Sequence, residues 1–319
     1  MSVDALFKNA AAKTVLAPMA GYTDLAFRDI CHGYGVGLTV TEMVSSKALV
    51  MNSELSRKML FKLPGDSPAF CQIFGHEPEV MAESVQIEEV KQYDGVDINM
   101  GCPVKKIVSN GDGSALLEHP DLAAKCISAV KTALKGKPLS VKFRLGVTDG
   151  TNAVDFAKMC RDNGADFITV HFRTRRQMYS GVADFTLLEN IANVGLPLFA
   201  NGDINSRQQY LDLTNRGAYG VAIGRGAVGR PYIFAEIANE PYEMDVYGVI
   251  KRHAEALSRV FADRVVCNEL KKHVAFYLKG KRNAKNVIVA CNVAKNTKQI
   301  LDTVKDFLSD NPRFAHIIG

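Results

Sequence analysis

The chain has 319 residues, of which 47% are hydrophobic and 23% charged, with a formal net charge of +5. That length allows one large core plus a smaller appendage, and no apolar run approaches the roughly 18 residues that a membrane span requires. The first residues, MSVDALFKNAAAK, contain no apolar h-region, so no secretory signal is visible and the expected location is the cytoplasm.

From residue 14 to about 238, short β-branched runs alternate with longer helical patterns. The runs are TVLAP (14–18), GLTVTE (37–42), AFCQIF (69–74), GVDINM (95–100), LSVKFRL (139–145), DFITVHF (166–172), LPLFAN (196–201) and YGVAIG (219–224). Between them, 78–92, 119–134, 151–163 and 205–216 have amphipathic helical spacing. Eight strands alternating with helices imply parallel βαβ units, and about 225 residues of them close most economically as a (β/α)8 TIM barrel. Each run ends in polar or glycine-rich residues, such as Pro18-Met19-Ala20, Glu42, Gln72, Asn99, Lys142 with Arg144, and His171 with Arg173. The C-terminal strand ends form the catalytic face of such a barrel.

After Pro231 and Pro241 the pattern changes to helical runs near 245–263, 266–280, 284–293 and 296–309, with no clear strand. The expected organisation is a barrel domain over 1–240 and a small all-α domain over 241–319. Residues 240–319 hold 14 Lys/Arg against nine Asp/Glu, and within 264–298 nine basic residues face the single acid Glu269. Such a localised basic surface suits a polyanion. A solvated helical face is the alternative that charge alone leaves open.

Seven cysteines are scattered along the chain with no CxxC pair, and no histidine cluster stands at metal-ligand spacing. Neither a disulfide framework nor a metal is therefore expected. Cys102 stands apart. In NMGCPVKK (99–106), Gly101 and Pro103 set a tight turn after the fourth run and hold this thiol over the barrel mouth. A thiol of pKa about 8.5 is mostly protonated at neutral pH and can act as a general acid. A pKa depressed by Lys105 or Lys106 would make it a nucleophile instead.

NGDIN (201–205) and IGRGAVGRP (223–231) end the seventh and eighth runs. The loops there are the usual phosphate cup of a TIM barrel, with Gly202 and Gly224 allowing close backbone approach and Arg225 adding a charged donor. Gln72, Lys142 and His171 end three other strands. An amide, a cation and an imidazole around one ring suit the polar edge of an isoalloxazine, although a simple sugar phosphate also fits the phosphate cup. HFRTRRQMYSG (171–181) interleaves Arg173, Arg175 and Arg176 with Tyr179, a composition suited to phosphates and a stacked base as well as to an ordinary solvated loop.

Taken together, these stretches resemble the bacterial tRNA-dihydrouridine synthase family. The matching residues are LAPMAGYTDLAFR (16–28), TEMVSSKAL (41–49), QIFG (72–75), DINMGCPVKK (97–106), GDGSALL (111–117), VKFR (141–144), HFRTR (171–175), ANGDI (200–204) and IGRGAVGRPYIF (223–234). The resemblance implies a flavin site of Pro18, Met19, Ala20, Gln72, Lys142, His171, Asn201, Gly202, Asp203, Gly224 and Arg225, with Cys102 at the catalytic position. Residues expected to meet the substrate are Asn99, Lys105, Arg144, Arg173 and Arg175 on the barrel, and Lys271, Lys272, Lys281 and Arg282 on the helical part. The chain departs from the family pattern at Gly111-Asp112-Gly113, usually Gly-Ala-Gly, and at His171-Phe172-Arg173, usually His-Gly-Arg. It also has Tyr232 where Trp is frequent. The first two lie near the expected RNA path and leave open which uridine is modified.

The implied reaction is reduction of the C5=C6 bond of uracil in tRNA, in the D-loop, with NADPH reducing FMN, hydride passing from flavin N5 to C6 and Cys102 protonating C5. A monomer with no obligate protein partner is expected. The nearest rival is a small-molecule FMN reductase of the dihydroorotate dehydrogenase type, against which the basic 264–298 segment argues. A tRNA-binding chaperone on a dead barrel is the rival from another class, against which Cys102 argues.

Overall fold

The computed structural model describes residues 2–319. Eight parallel strands close into a barrel: β1 (Thr14–Leu16), β2 (Leu38–Val40), β4 (Ala69–Phe74), β5 (Gly95–Met100), β6 (Leu139–Arg144), β7 (Phe167–His171), β8 (Leu198–Asn201) and β9 (Gly220–Ile223). A two-residue strand, β3 (Val44–Ser45), adds to the end of β4. Closure runs through β2–β4 and β1–β9, with Thr39 opposite Ala69 and Val15 opposite Ala222. Every expected run thus contains a barrel strand. These strands are buried on both faces, which is why they read as near-continuous apolar runs.

Four helices of the barrel wall are α1 (Leu25–His32), α2 (Pro120–Ala133), α3 (Ala153–Asp162) and α4 (Arg207–Asn215). The expected helix over 78–92 is instead two, Pro78–Ser84 and Glu88–Lys91, separated by a turn. Inside the barrel, the N-terminal end is closed by aromatics. The rings of Phe70 and Phe167 lie 5.5 Å apart, those of Phe167 and Phe199 5.3 Å, and Phe7 from the N-terminal segment reaches within 5.1 Å of Phe199.

Beyond the barrel come α5 (Val246–Leu257), α6 (Asp263–Tyr277), α7 (Ala284–Val293) and α8 (Thr297–Asp310). They surround their own apolar core, which includes Ile250, Leu257, Leu270, Val274, Ile300 and Val304 and also takes in Leu25, Ala26 and Leu63 from the barrel side. The expected 245–263 helix stops at Leu257, and α6 begins three residues earlier than its apolar spacing suggests. The region is not purely helical either. A two-stranded antiparallel ribbon pairs β10 (Glu243–Asp245) with β11 (His316–Ile318). Three residues are too few to display a period of two, and the partner lies some seventy positions away, so neither strand left a sequence signal.

Candidate active site

The strand register assembles the mouth of the barrel. Gln72 lies opposite Asp97 and Asp97 opposite Ser140. One step towards the mouth, Asn99 faces Lys142, and at the rim Arg144, His171 and Asn201 form one row across β6, β7 and β8. Because side chains alternate along a strand, each of these positions follows an interior residue two places earlier.

A hydrogen-bonded network covers the floor of this mouth. Gln72 donates from Nε2 to Asp97 Oδ2 at 2.6 Å, Ser140 Oγ donates to Asp97 Oδ1 at 2.5 Å, and Asn99 Nδ2 donates to Gln72 Oε1 at 2.9 Å. Lys142 reaches across the barrel to donate to Asn201 Oδ1 at 3.1 Å, and Asn201 donates onward to the Ala222 carbonyl at 2.7 Å. Burial pushes the Asp97 carboxyl above its usual range. It pushes the Lys142 ammonium below its own, with Arg144 adding repulsion and Asp97 opposing it.

Cys102 is the one cysteine of the seven that is not buried. Its turn is held from three sides. Its N–H and that of Gly101 donate to Asn99 Oδ1 at 2.9 and 3.1 Å, its carbonyl accepts from Ser114 Oγ at 2.8 Å, and Arg144 Nε donates to the Gly101 carbonyl at 2.8 Å. The position of Gly113 (φ +60°) favours glycine, since its left-handed backbone strains other residues and a Cβ there would stand 3.0 Å from the Cys102 carbonyl oxygen and 3.1 Å from its Cβ. Partial burial raises the thiol pKa, opposed by the Val104 backbone and by Arg144 and Lys142. The group is therefore a thiol rather than a thiolate at neutral pH, the protonation state of an acid.

At the opposite rim, Asp203 (φ +51°) accepts from Arg173 Nη1 at 3.0 Å, Arg225 Nη2 at 3.1 Å and the Ala183 N–H at 3.0 Å. A carboxylate held between two guanidiniums orients them and would repel a phosphate, so Asp203 positions Arg225 rather than touching an anionic ligand. Gly202 has φ +128°, and a Cβ there would press to 2.8 Å from Ala183 Cβ. The Met19 sulfur lies 3.2 Å from where a Cβ on Gly224 would be, which joins the first loop to the eighth, while Pro18 and Ala20 flank it at the rim. His171 is held neutral: burial, then Lys142, Arg144, Arg173 and Arg225, lower its pKa to about 2. Its Nδ1 is buried without a partner. Four cations around a neutral imidazole, with Asp203 paired to two of them, leave an excess of positive charge that fits an anionic group such as a phosphate. The residues present thus fit a flavin mononucleotide, with the orphaned His171 nitrogen and the Lys142 ammonium available to its polar edge.

Three expected substrate contacts are engaged within the protein itself. Arg173 is 2% exposed, with its guanidinium taken up by Asp203 and the carbonyls of Ser180 and Gly181, so it braces a loop. Arg144 is buried too, donating to Gly101, Thr174 and Met178 carbonyls. Asn99 spends its amide on Gln72 and on the Cys102 turn. For the two arginines, loop carbonyls claim the guanidinium; for Asn99, the N–H groups of the Cys102 turn claim its oxygen.

Lys105 remains exposed, and Arg175 is tied to Glu118 at 2.5 Å. On the helical side, Lys272 pairs with Glu269 and its Nζ lies 3.2 Å from where a Cβ on Gly21 would be, so it faces the barrel rather than the outer surface. Lys281 sits over the Phe314 ring at 5.3 Å, Lys271 is half-buried and Arg282 is exposed. Asp97 and Ser140 were not expected at the site. The signal was there: polar residues two positions before Asn99 and Lys142, on the same strand faces. Tyr179, 57% exposed, lies with its ring 5.6 Å from the guanidiniums of both Arg144 and Arg225.

The fold is similar to that of solved barrel proteins. One is a variant of NCR from Zymomonas mobilis, with TM-score 0.51 at 16% identity over 70% of this chain and 87% of that one. Another is histamine dehydrogenase from Rhizobium sp. 4-9, with TM-score 0.58 at 10% identity over 82% of this chain and 49% of that one. In sequence, the chain is 35% identical over 306 residues to a probable tRNA-dihydrouridine synthase of Rickettsia conorii, covering 92% of both chains. It is 37% identical to one of Rhizobium leguminosarum bv. phaseoli, over 83% of this chain and 85% of that one. It is also 34% identical to tRNA-dihydrouridine synthase B of Pasteurella multocida, over 92% of both. The family model described as dihydrouridine synthase (Dus) matches residues 15–310. With a model match over nearly its whole length and relatives above 30% identity over most of it, the chain belongs to the dihydrouridine synthase family.

Proposed function

We propose that this protein is a tRNA-dihydrouridine synthase that reduces the C5=C6 bond of uridines in tRNA, with FMN as cofactor and NADPH as electron donor. The observation that carries the reading is Cys102, the one thiol of seven that is not buried, kept protonated over a mouth lined with cations. A bound flavin supplies hydride chemistry that no side chain offers. The chain's own residues do the rest. Asn201, Gly202, Gly224 and Arg225 hold the phosphate, Lys142 and neutral His171 face the polar edge of the ring, and Gln72 and Asn99 keep that edge and the Cys102 turn in one network. Met19, with Pro18 and Ala20, closes the mouth on the side of β1. Cys102 then gives its proton to C5 of the uracil.

A uridine must leave its stack to reach this depth, and the exposed Tyr179 ring between two arginines offers it a surface at the rim. Residues 241–319 hold the tRNA through Arg282, Lys281, Lys271 and their basic neighbours, in keeping with recognition of RNA by shape and phosphates. Lys105 and Arg175 extend that track on the barrel. We place the protein in the cytoplasm, where tRNA is matured; no described helix is long and apolar enough to cross a membrane.

The test is Cys102→Ala assayed on tRNA from a strain lacking dihydrouridine. Retained flavin absorbance with no dihydrouridine formed supports the assignment, whereas normal product formation removes Cys102 from the reaction. Turnover of free orotate or uracil by the intact enzyme, without tRNA, would point to the small-molecule reductase instead.

A further inference from the structure

The barrel and the helical bundle meet at a buried group that the reaction does not use. Asp24 caps the N-terminus of α1, its Oδ1 accepting from the N–H groups of Ala26 and Phe27 at 2.9 Å. Its other oxygen, Oδ2, points into the interface. There it lies 3.0 Å from His253 Nε2 on α5 and 3.5 Å from His273 Nε2 on α6. Both histidines are wholly buried and Asp24 is 8% exposed. The two imidazole rings stand 4.3 Å apart.

Hydrogen bonding explains only part of this. A single bond from His253 Nε2 satisfies Asp24, yet both ring nitrogens of His273, Nδ1 of His253 and the Tyr277 hydroxyl remain buried without partners. Orphaned polar atoms in an interior are costly, and here four of them collect within one interface. Tyr277 lies four residues after His273 and so on the same face of α6.

We propose that Asp24 Oδ2, His253 Nε2 and His273 Nε2 bind a divalent transition-metal ion of the zinc type, which ties the barrel to the helical bundle. The three donor atoms all lie within 4.8 Å of one another. Their separations of 3.0 and 3.5 Å bracket the ~3.3 Å edge of a tetrahedron with ~2.0 Å metal–ligand bonds. Two imidazoles and a carboxylate suit zinc and its neighbours, and lack the oxygen cage that calcium or magnesium needs. The bonds from α1 to Asp24 Oδ1 fix the carboxylate in the way outer-shell partners fix metal ligands. With the metal on each Nε2, the ring proton of each histidine sits on Nδ1. A water in the fourth position would complete a tetrahedral, structural site. Positions 24, 253 and 273 are too scattered for spacing along the chain to have revealed it, which is why no metal was expected.

The experiment uses the full flavin-loaded chain in a Cys102→Ala background, which removes the one solvent-accessible thiol that could also take zinc. After chelation and dialysis, zinc is titrated calorimetrically, metal content is measured by elemental analysis and thermal melting is followed. The expected result is one zinc per chain and a higher melting midpoint with zinc. Both should be lost in Asp24→Asn, which keeps the helix cap, and in His273→Gln, while flavin content is unchanged. Absence of zinc at micromolar free metal, or the same stoichiometry in both variants as in the parent, would overturn the proposal. If one variant fails to fold, the other and the parent titration still decide it.

Discussion

Two levels of the barrel interior, built by the same strands, have opposite chemistry. At the lower level sit Phe70, Phe167 and Phe199, ring against ring. Two residues further along those strands, about 6.6 Å towards the mouth, sit Gln72, Thr169 and Asn201, each polar and each nearly buried. The lower level gains its stability from apolar area and needs no particular orientation of any ring. The upper level is held by directed hydrogen bonds, and it accepts a lysine, an aspartate and a neutral histidine where burial penalises their charged forms. Floor and mouth therefore divide the labour: one keeps the barrel shut, and the other stores unsatisfied polar capacity for a ligand.

Substitutions at the two levels should separate activity from stability. Cys102→Ala, at the rim, should lower dihydrouridine formation by about 10²–10⁴-fold with no loss of melting temperature. A parallel fall in stability would mean that the turn, rather than the thiol, was damaged. Phe199→Ala, on the floor, should cost about 3–5 kcal/mol of unfolding free energy, while turnover per folded, flavin-loaded molecule stays near that of the parent. A large kcat defect in the folded fraction would show that floor and mouth are coupled, as the two-residue step from Phe199 to Asn201 allows.

A pH experiment probes the mouth alone. His171 has a pKa of about 2 in the folded, flavin-free chain against an ordinary 6.5. Between those values the unfolded chain binds the extra proton and the folded one does not, so stability rises with pH and is lost as pH falls below 6.5. At pH 5 the loss assignable to this one residue is about 2 kcal/mol. His171→Gln should therefore flatten the acid side of the stability profile, measured by denaturant unfolding at pH 7 and pH 5. An unchanged slope would mean that His171 is not held neutral. The smallest effect is expected at the rim surface. Tyr179→Ala should raise the KM for tRNA by about tenfold through lost stacking, leaving kcat and flavin content in place.

Much of this was legible before any coordinates. Eight apolar runs with polar ends identify a parallel barrel because burial on both faces leaves its mark on every residue of a strand. Cys102, Lys142 and Arg225 could be picked out since each stands at or just beyond a strand end, where local position determines which way a residue faces. The partners of Arg173 and Arg144 were hidden for a related reason: a guanidinium at or beyond a strand end looks free in sequence, and only the folded loop shows which carbonyls bind it. Asp97 was missed because a lone acid inside an apolar strand has no local partner to explain it; Ser140 and Gln72 become its partners only through register.

What the sequence determined by itself was the set of elements, their parallel alternation and the chemical identity of the mouth, all consequences of local periodicity and of residue types at strand ends. Tertiary structure alone decided which polar groups meet. The bond from Lys142 to Asn201, the clamp of Asp203 on two arginines and the meeting of Asp24 with His253 and His273 join residues 22 to 249 positions apart. Hydrogen bonds and ion pairs act over about 3 Å, a distance that sequence separation does not encode.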